Sequence, residues 1–552
     1  MWLPFFMPDS GQTHTPYSRD MKRRSILQAL GTTAAVVAAP LAFAKSPMKL
    51  DPARATTTSL ARALREGRTS VLAIAQTHLE RIAALDRAGP RLNSIIETNP
   101  DALKEAKRLD ALARKGQWLG PLHGIPVLLK DNIATGDRMQ TTAGSLALEG
   151  TRAARDAAIV EQLRQAGALI LAKTNLSEWA NIRSSRSTSG WSSRGGLTRN
   201  PYALDRNTSG SSSGTGAAIA AGLGVLGVGT ETDGSIISPA TRNGLVGLKP
   251  TVGRVSRDGI IPISHTQDTA GPMTRTVADA AALMQAISAI DRRDAATQGA
   301  PTTPNYSANL QPQALQGVRI GVARNQLNPH AGVSALFERS LQQLKQLGAE
   351  LVDVQAPRPA TWSADELTVL LVELKAGLAA WMAEFAPNAR VRTLEDIIAF
   401  NEANASRTMP HFGQEFFLQA RELGGLESPT YKAALEKCRR LARTEGLEAL
   451  FEKERIQTLV APSGGLASLT DLGAGDHSTG GFSSAAAVAG LPHLTVPMGV
   501  VNIQGGAVLP TGLSFVGPAW SEASLLGYGY AFEQAGKHRV APTFKRHSTA
   551  TA

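Results

Sequence analysis

Serines and glycines crowd one stretch of this chain, Thr208 to Pro239, which reads TSGSSSGTGAAIAAGLGVLGVGTETDGSIISP. Glycines let backbone amides approach a ligand closely, and serine hydroxyls become nucleophiles only when something removes their protons. No histidine is placed beside these serines, so the base must come from elsewhere. The candidate is Lys130, in Gly124-Ile125-Pro126-Val127-Leu128-Leu129-Lys130-Asp131-Asn132, where an apolar run that reads as a buried strand ends on an amine. Desolvation there favours the neutral amine, the form that accepts a proton.

Two other motifs lie in the same stretch. Gly210-Ser211-Ser212-Ser213-Gly214 fits G-x-S-x-G, which on a strand-to-helix elbow would make Ser212 the nucleophile. The preceding Ala203 to Ser209 is polar rather than a buried strand, so that motif lacks its context. Gly222 to Gly227 fits G-x-G-x-x-G but follows a helical-looking segment instead of opening a helix, which removes the nucleotide-binding reading. Ala217 to Val228, twelve mostly apolar residues, argues against a flexible linker.

Composition narrows the chemistry further. With 43% hydrophobic and 19% charged residues over 552 positions, the chain is globular and long enough for a large core. The formal charge is +11, but the basic residues are scattered among acids without a Lys/Arg run, so no nucleic-acid partner is expected. Cys438 is the only cysteine, which rules out an internal disulfide or a thiolate cluster. The dispersed histidines form no metal-ligand spacing, and neither a metal nor another cofactor is expected.

The elements that must hold Lys130 and the serines read as alternating helices and short strands, an α/β layered pattern. Thr58 to Leu85 is helical in spacing, divided at Gly67, with Ser70 as an N-cap; Asp101 to Lys115 is a second amphipathic stretch. Asp156 to Gly167 reads as helix, Ala168 to Ala172 as strand and Lys173 to Glu178 as a polar loop. Later strands are expected at Gly317 to Ala323, Ile456 to Pro462 and His493 to Val501, with Gly512 to Gly517 closing the sheet. Asp291 to Pro312 reads as an exposed connection, 320–455 as a helical cover and Ala541 to Ala552 as a frayed end. No repeat or clean boundary divides residues 45–552, so one large domain is expected there.

Residues 1–44 read as an export signal. Lys22-Arg23-Arg24 precedes an Ala/Val/Leu-rich run ending in Ala42-Phe43-Ala44, a basic head, apolar middle and A-x-A end; Met21 is a candidate start. The paired arginines point to the twin-arginine route and a bacterial periplasm. Polar interruptions and Pro40 favour cleavage over a membrane anchor, leaving no stable membrane association.

In order, the Gly-Ile-Pro run ending in Lys130-Asp131-Asn132, the Gly210-Ser211-Ser212 segment and Gly229-Thr230-Glu231-Thr232-Asp233-Gly234-Ser235-Ile236 resemble the amidase signature family. The third segment looks most like that of the peptide amidases, and the likeness runs from about residue 58 to 530. The resemblance implies one α/β domain with a central mixed sheet covered by helices. It implies Ser235 as the acylated nucleophile, Ser211 as a bridging serine, Lys130 as the base, and a cis Gly210–Ser211 peptide bond. Backbone amides of Thr232, Asp233, Gly234 and Ser235 would then bind the oxyanion, with Ser212 counted among the substrate-binding residues.

Three positions depart from the family pattern: Glu231 stands for Asp, Asp233 for Gly and Ile237 for Arg. A carboxylate facing an oxyanion would oppose it, so Asp233 should point away or meet the substrate nitrogen; a local loop hydrogen bond is the alternative. The expected activity is hydrolysis of a carboxamide to acid and ammonia, with small-molecule or short-peptide amides as substrates and peptide C-terminal amides leading. General aliphatic or aryl amides, a transamidation subunit and a non-catalytic binding protein are the competing readings.

Overall fold

Apolar runs supply the middle of a large mixed sheet. The structure is a computed structural model that describes residues 50–546 except 327, 329 and 478; the expected export signal lies outside the described residues. In chain order the strands are β1 (Ile95–Thr98), β2 (Pro126–Lys130), β3 (Leu169–Thr174), β4 (Trp191–Ser192), β5 (Gly196–Leu197), β6 (Leu226–Glu231) and β7 (Val246–Lys249). They continue with β8 (Thr269–Thr274), β9 (Arg319–Ala323), β10 (Glu350–Val354), β11 (Thr458–Pro462), β12 (His493–Asn502) and β13 (Val508–Val516). β4 and β5 form a separate ribbon, while the other 11 strands run β1-β3-β2-β6-β8-β7-β12-β13-β11-β9-β10.

The sheet is parallel where β2 lies between β3 and β6, and again where β9 lies between β11 and β10; the other pairs are antiparallel. Every residue of β2, β3 and β6 is buried, as expected for parallel strands covered on both faces. The strand ends of β2 and β6 bring Lys130 and Thr230 together inside the fold.

Local signals place the covering helices. Ser70 Oγ accepts from the Ala73 N–H at 3.0 Å and starts Val71–Arg81, and Gly67, at φ +65°, makes the turn before it. The helix Ser213–Ala220 begins two residues after Ser211 and is buried along its whole length. Gly214 is obligatory in its first turn: a Cβ there would meet Asn175 O at 2.3 Å and Ser94 O at 2.4 Å. Glycine lets the serine-bearing turn press directly onto the backbone following β3.

The helical-looking segment before Gly222 is a helix that ends at Ala220; Gly222 turns at φ +72°, and β6 begins at Leu226. Several expectations are corrected. Lys173 lies in β3, not in a loop, because its ammonium meets Ile133 O at 2.7 Å and Gln140 O at 3.0 Å inside the fold. The 291–312 connection buries Asp291, Asp294, Thr297 and Tyr306. Residues 320–455 are helical only in part, since β9 and β10 belong to the sheet; the long helix Ser363–Phe385 and the shorter helices after it follow. Of the expected frayed end, residues 541–546 are anchored, because Phe544 N–H donates to Pro201 O and Leu204 N–H to Lys545 O, each at 2.9 Å, and 547–552 lie outside the described residues.

Candidate active site

Lys130 leaves the end of β2 with no exposed surface. Its Nζ lies 2.7 Å from Ser211 Oγ, 2.9 Å from Thr230 Oγ1 and 3.2 Å from Thr230 O, and none of these oxygens is charged. Burial lowers the amine from the ordinary lysine range to about 7, with Asp268 and then Glu231 opposing the shift. Asn132 donates its side-chain amide to Thr230 Oγ1 at 3.0 Å, fixing that hydroxyl beside the amine.

Ser211 enters the site through a cis Gly210–Ser211 peptide bond, as the resemblance implied. Its carbonyl accepts from the Ser177 N–H at 3.1 Å, so the turn is held from behind while its hydroxyl meets Lys130. Ser212 has a different place from the one expected. Its Oγ donates to Thr230 O at 3.1 Å and accepts from Thr230 N at 3.2 Å, so the hydroxyl ties the serine helix to β6 and is not available to a substrate. The Ser212 N–H donates to Ser235 O at 3.2 Å, which joins the Ser211 turn to the Ser235 loop.

Ser235 sits between β6 and the short helix Ile237–Arg242, and 8% of it is exposed. Glu231 shapes this loop: its Oε2 accepts from Ile236 N at 2.7 Å and Ile237 N at 3.0 Å, taking up free donors at the helix start. Gly234 turns at φ +74° just before Ser235. Among the described residues, the backbone N–H groups of Thr232, Asp233, Gly234 and Ser235 find no protein acceptor. Four consecutive free donors next to a serine hydroxyl suit a developing oxyanion.

The Asp233 carboxylate turns to the C-terminal part of the chain, where Ser483 Oγ donates to its Oδ1 at 2.6 Å. That is neither the local loop bond nor an oxyanion contact. Burial raises its pKa, and the Ser483 and Ser484 hydroxyls oppose the rise. Burial and then the Asp233 charge push Glu366, on the helix Ser363–Phe385, up to about 8. Ile237 is fully buried, so it contributes packing where the family pattern has a charge.

A cavity of about 320 Å³ opens onto this constellation and reaches Ser211, Asn132, Thr230, Thr232 and Asp268. Its apolar wall comes from Ile260, Ile261 and Ile263 on one side and Ala380, Trp381 and Phe385 on the other. Charged groups at its edge are already paired, Arg257 with Asp294 at 2.6 Å and Arg293 with Asp258 at 3.4 Å. Sequence reasoning missed Thr230, Asn132 and Asp268. The first two stood inside quoted motifs next to Glu231 and Lys130, whereas Asp268 had no signal because only the fold brings it to Thr232.

The family model described as Amidase matches residues 73–526. The native peptide amidase from Stenotrophomonas maltophilia superposes with a TM-score of 0.84 at 48% identity, covering 89% of this chain and 99% of that one. A peptide amidase solved with the competitive inhibitor chymostatin gives 0.86 at 49% identity, with coverage of 89% and 99%. The "Probable amidase" of Arabidopsis thaliana is 39% identical over 494 residues, which are 87% of this chain and 90% of that protein.

Proposed function

The chain belongs to the amidase family and is an amidohydrolase, and from that premise we propose that it is an exported serine amidase acting on the C-terminal carboxamides of short peptides. The observation that carries the catalytic reading is the contact of a fully buried Lys130 amine, bonded only to uncharged oxygens, with Ser211 at 2.7 Å. A neutral amine has two hydrogens and one lone pair. The Thr230 oxygens take the hydrogens, and the lone pair faces the Ser211 hydroxyl.

In the acylation step Ser235 Oγ bonds to the amide carbon as its proton passes to Ser211 and that of Ser211 passes to Lys130. The oxyanion is received by the free amides of residues 232–235, each well-aimed donor supplying roughly 3 to 4 kcal/mol. Collapse breaks the C–N bond while the proton returns from Lys130 through Ser211 to the nitrogen, and ammonia leaves. Water then attacks the Ser235 ester by the same relay, giving the carboxylate and the free serine.

The peptide-amide substrate is supported by likeness to the two peptide amidase structures and by the form of the cavity. About 320 Å³ with apolar walls is of a size for a short acyl chain, at the small end of ligand pockets. Export is supported by Arg23-Arg24 and Ala42-Phe43-Ala44. Among the described residues no helix is long and apolar enough to cross a membrane. The test is to incubate a peptide amide with the enzyme and follow ammonia and mass. Terminal deamidation with internal bonds intact is expected; internal cleavage at a comparable rate refutes the reading, and turnover of simple aryl or aliphatic amides alone assigns a general amidase. N-terminal sequencing of secreted protein checks export, and a mature chain still containing Arg23 overturns cleavage.

A further inference from the structure

Asp268 is a carboxylate on the cavity wall that takes three donors from two parts of the site. Thr232 Oγ1 donates to its Oδ1 at 2.5 Å, from the loop that offers its amides next to Ser235. Ile263 N and Ser264 N donate to its Oδ2 at 2.8 and 2.9 Å, from the segment that makes one apolar wall. One side chain therefore sets the oxyanion loop against the wall that receives the acyl group.

Asp268 is also placed to act on the base by charge. Lys130 is bonded to Thr230, two residues before Thr232, and both threonines line the same cavity as Asp268. The two carboxylates acting on the amine are Asp268 and, less strongly, Glu231. Glu231 is committed to the Ile236 and Ile237 amides. Of the other charged groups packed here, Arg257 acts on Asp268 but is bonded to Asp294, and Glu373 is bonded to Ser264, Thr266 and Tyr431, with His265 beside it. Burial raises the Asp268 pKa, and its three donors oppose that by favouring the carboxylate.

We propose that Asp268 is a positioning residue of the amide hydrolysis, clamping the oxyanion loop to the cavity wall and stabilising the cationic Lys130 that forms when the relay delivers its proton. The proposal rests on the lysine-base reading above. It separates two functions of one carboxylate, and these have different signatures. Loss of the clamp lowers kcat at every pH. Loss of the charge makes Lys130 a weaker base and moves the acid limb of the rate profile to lower pH.

The experiment measures kcat and KM for one peptide amide from pH 5 to 10 in the wild type, Asp268→Asn and Thr232→Val, with a thermal melt of each. Asparagine can keep the bonds to Ile263 and Ser264 through its oxygen and meet the Thr232 hydroxyl through its amide, so the charge is the main loss. Asp268→Asn is expected to shift the acid limb down by about 1 pH unit and to lower the plateau kcat about tenfold, with KM little changed. Thr232→Val should lower kcat and leave the limb in place. If Asp268→Asn does not melt cooperatively, Asp268→Glu decides: it keeps the charge and displaces it, so kcat should fall with the limb unmoved, and a limb shifted by a full unit overturns the proposal. A limb unmoved by Asp268→Asn overturns it equally. A wild type without an acid limb removes the lysine-base reading itself, a different failure from the loss of Asp268's role.

Discussion

Lys130 and Lys173 occupy neighbouring strands with no exposed surface, yet their partners give them different chemistry. Burial lowers the Lys173 amine too, but Asp131, with Oδ1 at 3.8 Å, opposes that shift, and two backbone carbonyls accept from it. Lys130 has uncharged oxygens only, and burial lowers it to about 7. Because the neutral form is the base, turnover should rise through about pH 7 and stay high into the alkaline range. A flat profile from acid to neutral pH, with chemistry rate-limiting, counts against it. Lys130→Ala and Ser235→Ala should each remove nearly all turnover in an ammonia assay, while Ser211→Ala keeps more because a water can relay the proton. The same lysine costs stability. Its folded pKa is depressed, so below about 7 the fold buries a charge that the unfolded chain solvates, and the cost fades as pH rises toward 10.5. An inactive Lys130→Met variant should therefore melt above the wild type at pH 6, with the gap closing by pH 10.

At the scale of elements, the loop between β6 and Ile237–Arg242 is organised by Glu231. A helix of six residues has little stability of its own, and its N-cap and first amides, Ile236 N and Ile237 N, are held by one carboxylate oxygen. Glu231→Ala leaves those donors without a partner, at a cost of about 1 to 3 kcal/mol, read in urea unfolding, and should lower kcat more than it raises KM. Glu231→Gln keeps an acceptor and should retain most of both; equal loss in the two variants would sink the capping role. This part of the site was half legible. Lys130, Ser211 and Ser235 stood out because reactive residue types met glycine-rich turns, but what Glu231 bonds depends on where β6 ends. The same limit applies to whole elements. β1 and β10 are short edge strands with partly exposed residues, so alternation is weak there. The helix Glu522–Gly536 contains Gly527 and Gly529, poor helix formers; a Cβ at Gly529 would lie 2.5 Å from Leu494 Cδ2, so close packing on β12 explains a residue that local propensity disfavours. Lys173 was misplaced because a lysine reads as surface, whereas here the fold supplies its acceptors.

Across the whole molecule, distant parts of the chain meet on the serine helix and the segment before it. Arg81 Nε donates to Ala221 O at 2.7 Å, Arg275 to Ile219 O at 3.1 Å and Gly224 O at 2.8 Å, and Arg539 to Ala220 O at 3.2 Å. Guanidinium groups from early, middle and late sequence thus occupy the carbonyl end of the helix whose other end carries Ser211, where positive charge is favourable. The tail adds a second hold. Tyr202 Oη donates to Val540 O, Leu204 N to Lys545 O at 2.9 Å, and Phe544 N to Pro201 O at 2.9 Å, all a few residues before Thr208. No described tail residue lines the catalytic cavity, so an effect of these contacts on turnover must pass through the 200–212 segment. Deleting residues 540–552 removes these three hydrogen bonds among the described residues, about 1 kcal/mol each, and should lower the melting temperature by a few degrees. It should also speed amide hydrogen exchange in residues 200–212 and lower kcat. Two of those bonds are made by backbone atoms, so Lys545→Ala should leave exchange and kcat unchanged. A truncated enzyme with wild-type kcat and unchanged exchange would show that the serine turn is held by its local contacts alone, with Ser177 N–H on Ser211 O and Ser212 N–H on Ser235 O sufficient.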